Sequence, residues 1–138
     1  MEDAVARYCA ASERRDIDGL LSTFAADAEV LSPISARAVF RGGEDLRALL
    51  TAVYATVEGW RWHEQLGDGH VRVALGEGRV LGLGLGDVTV FELADDGLIR
   101  RMTPHLRPWL ATTAFAVRLA VRLAPDPGVL ARAMRPAR

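Results

Sequence analysis

The chain contains no lysine and a single cysteine, Cys9, in 138 residues. A lone cysteine has no partner within the chain, so no disulfide framework is expected, and a reducing cytoplasm is the simplest setting. His-x-His, His-x-x-x-His and Cys-x-x-Cys spacings are all missing, which argues against a metal centre. The Leu-Gly alternation over 81–86 is not a phosphate-binding glycine loop, because its glycines alternate within a strand and do not sit in a turn between strand and helix, and no cofactor is expected. The start, Met1-Glu2-Asp3, is acidic and lacks the basic-then-apolar order of a secretion signal. Residues 109–124 are apolar on nearly every side, yet they carry Arg118 and Arg122 and fall short of the ~20 residues a bilayer span needs. A membrane partner is therefore not expected, with an interfacial helix as the lesser alternative to packing on the sheet or on a second subunit.

Hydrophobic residues make up 50% of the chain and charged residues 25%, the balance of an ordinary globular domain. The length suits one domain that buries roughly 70% of its unfolded surface. Charge is unevenly distributed. Residues 1–99 hold 9 arginines against 17 acidic residues, a net −8, whereas residues 100–138 hold 8 arginines against Asp126 alone, a net +7. The basic end can pair with the acidic body of its own or a neighbouring subunit, or serve an anionic partner. No interleaving of basic and aromatic residues accompanies this asymmetry, so no nucleic acid is expected.

Val5, Tyr8, Cys9 and Ser12 recur at helical spacing and predict a first helix over residues 2–14 with Tyr8 on its inner stripe and Glu2 in water. Asp16 or Asp18 caps a second helix running to about Phe24. Short strands follow near residues 28–32, ended by Pro33, and near 38–41. A long helix over 44–57 buries Leu46, Leu49, Leu50, Val53 and Tyr54. From Gly59 the period changes to two, and four antiparallel strands follow. Asp68-Gly69 and Glu77-Gly78 are read as two-residue hairpin turns. The order of elements is α+β, with an extra C-terminal helix over 109–124 and a basic tail.

Those two turns put Arg61, His63, Gln65, His70, Arg72, Leu85, Asp87 and Thr89 on one sheet face, and Trp60, Trp62, Val71, Val73, Val88 and Val90 on the other. His70 then lies diagonal to Asp87. On one alternative the polar face lines a pocket, where Asp87 orients His70 as general base while Arg72 and Tyr8 stabilise a substrate oxyanion. On the other the polar face is solvated and the tryptophans fill the core. A single bulge exchanges the two faces. His63 and His105 are lesser candidates.

The segment Ala6-Arg7-Tyr8, followed by Asp16 through Pro33, resembles the opening of nuclear transport factor 2-like domains of the SnoaL-like and ketosteroid isomerase-like kind. The resemblance covers about residues 3–108, ending in Asp96-Gly97-Leu98-Ile99 and a strand to Arg107-Pro108. It implies a curved sheet around a cone-shaped apolar pocket. Tyr8 matches the oxyanion-hole tyrosine of ketosteroid isomerases. Ser32, before Pro33, stands where those enzymes carry their general-base aspartate, and Thr89 where they carry a second oxyanion donor. Limonene epoxide hydrolases carry an Arg-x-Asp pair where this chain reads Arg72-Val73-Ala74, and Pro104 occupies the last-strand acid position that they share with polyketide cyclases.

The expected protein is thus a SnoaL-like α+β domain over 1–108, with residues 109–138 packed on it or on a dimer partner. Two functions stay open. One is a cofactor-independent acid–base enzyme (isomerase, cyclase, dehydratase or epoxide hydrolase) on an apolar, polycyclic or polyketide-like molecule. The other is a non-catalytic binding or dimerisation module. The catalytic candidates are Tyr8, His70, Asp87 and Arg72. Phe24, Ser32, Tyr54, Trp62, His63, Leu85, Thr89, Met102 and Leu106 are expected against the substrate, and a homodimer is the expected assembly.

Overall fold

The computed structural model describes residues 3–136; Met1, Glu2, Ala137 and Arg138 lie outside the described residues, and with them the expected placement of Glu2 in water and the last arginine of the basic tail. Helix α1 (Ala4–Glu13) is capped by Asp3, whose carboxylate accepts from the Ala6 N–H, and it buries Val5, Tyr8, Cys9 and Ser12. Helix α2 (Ile17–Leu21) is capped by Asp16 through the Gly19 N–H. It stops before Phe24, which instead opens β1 (Phe24–Leu31). After β2 (Val39–Arg41), Gly42 at φ 88° turns the chain into α3 (Gly43–Thr56). Glu44 and Asp45 in its first turn complement the helix dipole.

Strands β3 (Glu58–Leu66), β4 (Val71–Val80), β5 (Leu83–Leu93) and β6 (Ile99–Arg107) complete a six-stranded sheet ordered β2-β1-β6-β5-β4-β3. Neighbours are antiparallel except β1 and β6, which run parallel. Register shifts interrupt β1–β6, β3–β4 and β5–β6, and such bulges bend a sheet and increase its twist. Helices α4 (Trp109–Leu123) and α5 (Pro127–Ala133) lie on the same domain: α4 packs against α3 and β4–β6, and Arg132 of α5 grips Asp45 of α3 with two hydrogen bonds of 2.9 and 2.8 Å. Among the described residues no helix is long and apolar enough to cross a membrane.

Both hairpins depart from expectation. Asp68-Gly69 is not a two-residue turn: residues 67–70 join β3 to β4, and Leu66 faces Val73. The second hairpin departs further. Glu77 and Gly78 lie inside β4, and the turn is Leu81-Gly82, between the paired residues Val80 and Leu83. Both turn residues have positive φ, 50° and 76°, as a type I′ turn requires. A leucine seldom takes that conformation, so the local signal pointed to the wrong glycine. Moving the turn slides the register by eight residues: Gly76, expected opposite Arg79, faces Asp87 instead.

Gly78 is spent on packing instead. A Cβ at Gly76 would lie 2.7 Å from Trp60 and 2.8 Å from Trp62, and one at Gly78 would lie 2.8 Å from Trp60. Bare backbone on β4 thus seats both indoles on the inner face of the sheet. The bulges in β3–β4 produce the face exchange: Trp60 and Trp62 turn inward with Asp87, while Arg61 and His63 are exposed. Gly76→Ala is expected to cost about 1–3 kcal/mol, because rigid rings and not flexible chain ends must move; chemical denaturation with an unchanged m-value would measure it.

Candidate active site

The inner face of the sheet, α1, α3 and α4 enclose a cavity of about 240 Å³. Its wall is overwhelmingly aliphatic and aromatic, from Val30 and Phe40 on the first strands to Leu49, Leu50 and Val53 on α3 and Phe115 and Leu119 on α4. Tyr8, Tyr54 and Asp87 bring polar side chains to this surface.

Tyr8 is held by three edge-on aromatic contacts, with ring centroids 5.8 Å from Phe24, 5.3 Å from Phe91 and 6.3 Å from Trp62. Its hydroxyl lies 2.7 Å from that of Tyr54. Burial raises the pKa of both phenols well above the ordinary tyrosine value, and the nearby Asp87 charge adds to the effect, so both remain protonated donors at physiological pH. Two hydroxyls in series leave one hydrogen free. If Tyr54 donates to Tyr8, Tyr8 donates onward into the cavity.

Asp87 is 8% exposed, on the middle of β5. One carboxylate oxygen accepts from the Thr89 hydroxyl at 2.6 Å and the other from the His105 backbone N–H at 3.2 Å. Desolvation outweighs these bonds and the His105 charge and lifts its pKa to about 6. Each oxygen keeps a lone pair beyond the bond it accepts. The group is therefore a carboxylate poised close to neutrality beside a hydrogen-bond donor pair in an apolar hollow.

The remaining sequence candidates divide in two. Ser32, Tyr54, Leu85, Met102 and Leu106 line the cavity together with Asp87 and Tyr8. Phe24 lies behind Tyr8, Thr89 behind Asp87, and Trp62 donates its indole N–H to Ser12 Oγ at 2.7 Å. Ser32 does not replace a general base, because its hydroxyl oxygen accepts from the Ile34 and Ser35 N–H groups, both at 3.0 Å, and shapes the loop after β1.

His70, Arg72 and His63 are corrected. His70 is exposed at the start of β4, six residues along the strand from Gly76, the partner of Asp87, or roughly 20 Å. Arg72 pairs with Asp3 and the Gly69 carbonyl at the sheet's far end. Neither lines the cavity, and exposed His63 points away from it. The misplaced turn caused the first two assignments, and the bulges in β3–β4 the third.

Sequence reasoning missed Trp60, which lines the cavity once the faces exchange, and the wall formed by α4 and α5. The all-round apolarity of 109–124 was the available signal for that wall. Cys9 is buried, and desolvation with the charges of Glu13 and Asp3 pushes its thiol up to about 12, so it is no nucleophile. Among the described residues no group of three metal-ligating side chains occurs.

The family model of the SnoaL-like domain matches residues 5–102, most of the chain. The chain belongs to the SnoaL-like domain family. This SnoaL-like protein has the nuclear transport factor 2-like fold, and solved structures resemble it over 80–96% of its length. An uncharacterized protein with a cystatin-like fold from Silicibacter pomeroyi is 20% identical, with a TM-score of 0.88 and coverage of 96% of this chain and 95% of its own. A steroid delta-isomerase from Pseudomonas aeruginosa is 26% identical, with a TM-score of 0.81 and coverage of 91% and 92%. A nuclear transport factor 2-like protein of unknown function from Burkholderia xenovorans is 19% identical, with a TM-score of 0.66 and coverage of 80% and 88%. No curated protein matches the sequence.

Proposed function

We propose that this SnoaL-like protein is a cofactor-independent enzyme that moves a proton on an apolar carbonyl compound of steroid or polyketide size. The observation carrying this reading is the pairing of Asp87 with the Tyr8–Tyr54 hydroxyls in an otherwise apolar cavity. Asp87 removes a proton from the carbon beside the carbonyl, and the electron pair moves onto the carbonyl oxygen. Tyr8 donates its hydrogen bond to that oxygen, stabilising charge where it develops. Protonated Asp87 then returns the proton to another carbon, giving isomerisation; attack of the carbanion on a second carbonyl of the same molecule, whose oxygen takes the electron pair and then the proton from Asp87, gives cyclisation. Likeness to the 26%-identical steroid delta-isomerase supports the first outcome. Epoxide opening is less well supported, since Asp87 is the sole carboxylate lining the cavity among the described residues.

A second reading, a non-catalytic binder of apolar ligands, is favoured by one observation: both oxygens of Asp87 already accept hydrogen bonds. Solvent deuterium exchange separates the two. Cyclic β,γ-unsaturated ketones incubated with the protein in D2O are expected to gain deuterium beside the carbonyl. Quenching of tryptophan fluorescence by the same ketones without any exchange would support the binder and overturn the enzyme.

A further inference from the structure

Helix α4 has two apolar faces. The inner one, with Ala111, Phe115 and Leu123, is buried against the domain. The outer one is not: Leu110 is 56% exposed, Val117 58% and Val121 65%, and Trp109 at the helix start reaches 79%. Leu110, Val117 and Val121 recur at seven and four residues, so they form one stripe along the solvent side. Ala120 beside Val121 is exposed and also lines the cavity, so the rim of the cavity runs along this helix. Leu130 of α5, Met134 just after it and Ile34 of the loop after β1 are likewise cavity-lining and exposed.

Along the chain from residue 104 to 125 the charge has one sign. Residues 104–125 contain Arg107, Arg118 and Arg122 and no aspartate or glutamate. Arg118 and Arg122 stand one turn apart on the flank of the stripe. Among the described residues, Arg107, Arg118, Arg122 and Arg135 have no carboxylate within ion-pair distance, whereas Arg132 is engaged with Asp45. A two-fold dimer through this helix would bring the same patch against itself and set arginine against arginine. An anionic surface that accepts apolar side chains between charged headgroups meets both features at once.

We propose that the outer face of α4 docks on an anionic lipid surface. The stripe inserts to the depth of the headgroup boundary, the flanking arginines meet lipid phosphates, and the cavity rim is brought to the bilayer, where an apolar ligand is most concentrated. Docking is independent of the chemistry at Asp87 and is read without any activity.

The test is co-sedimentation of the full chain with phosphatidylcholine vesicles, with and without phosphatidylglycerol, alongside sedimentation velocity in buffer. Expected are phosphatidylglycerol-dependent binding that weakens with salt, its loss in the Val117→Glu/Val121→Glu pair, and a roughly fivefold drop for each of Arg118→Gln and Arg122→Gln. Both valines are exposed, so the variants should keep the parent's far-UV spectrum. Absence of binding to either vesicle would overturn the proposal. So would a dimer in buffer that the valine pair converts to monomer, since the stripe would then be a subunit interface.

Discussion

Asp87→Asn is expected to lower kcat by a factor on the order of 10²–10⁴ while making the protein more stable at neutral pH. Loss of turnover follows from removing the group proposed to carry the proton. The gain in stability follows from removing a buried charge. In the folded protein the carboxyl has a pKa of about 6, against 3.8 for the free side chain, because burial disfavours its ionised form.

The folded state therefore binds a proton more readily than the unfolded state between pH 3.8 and about 6. Within that window the contribution of Asp87 to stability falls as pH rises, and above it the loss is complete. The shift corresponds to about 3 kcal/mol. Asparagine avoids this cost and can still meet both neighbours, its Oδ1 accepting from the His105 N–H and its amide donating to the Thr89 hydroxyl. Melting temperatures measured from pH 4 to pH 8 should show the variant ahead of the parent by several degrees at pH 8 and level with it near pH 4. Activity of the parent should rise with pH through about 6, since the base must be ionised. A pH-independent difference in melting temperature would mean that the carboxylate is not desolvated and that its proposed role lacks a basis.

Tyr8→Phe is the second large effect. Removing one oxyanion donor typically costs on the order of 10²–10³ in kcat. The ring and its edge contacts with Phe24 and Phe91 remain, so affinity for an apolar ligand should change little. Tyr54→Phe should cost less, because Tyr54 orients the Tyr8 hydrogen and does not supply the final bond. The Tyr8 variant also leaves the buried Tyr54 hydroxyl without its 2.7 Å partner, for which about 1–3 kcal/mol of destabilisation is expected. His70→Ala is the control: the side chain is exposed and remote from the cavity, so turnover should not move. Equal kcat in Tyr8→Phe and parent would remove the tyrosine pair from the mechanism.

Local patterns were legible wherever one side chain property repeats along one element. The stripe Val5, Tyr8, Cys9, Ser12 is enough to place Tyr8 inside, because helical geometry alone puts those positions on one face. Asp87 and Thr89 were correctly put on one side of their strand by the period of two. The relation between strands was harder to read. Gly78 and Gly82 look alike in the sequence, yet one makes room for Trp60 and the other makes the turn. Choosing wrongly put His70 beside Asp87 when it lies at the far end of the strand. Bulges had the same consequence for Trp60, since inserting one residue reverses every later side chain and leaves no mark in composition.

By itself the amino-acid sequence determined the order of the elements from α1 to α4, the family and the inward placement of Tyr8, because these rest on contacts among residues close in the chain or on motifs of consecutive residues; the helix α5 and the start of β1 at Phe24 were not legible in it. Only the tertiary structure decided that Asp87, Tyr8 and Tyr54 share a cavity, that Trp60 faces it, and that α4 closes one side while leaving a second apolar stripe in water. Those outcomes depend on register and on which surfaces meet, and register depends on the packing of rings over glycines far away in sequence. A carboxylate near neutrality is likewise a property of the hollow around it, where burial outweighs two hydrogen bonds.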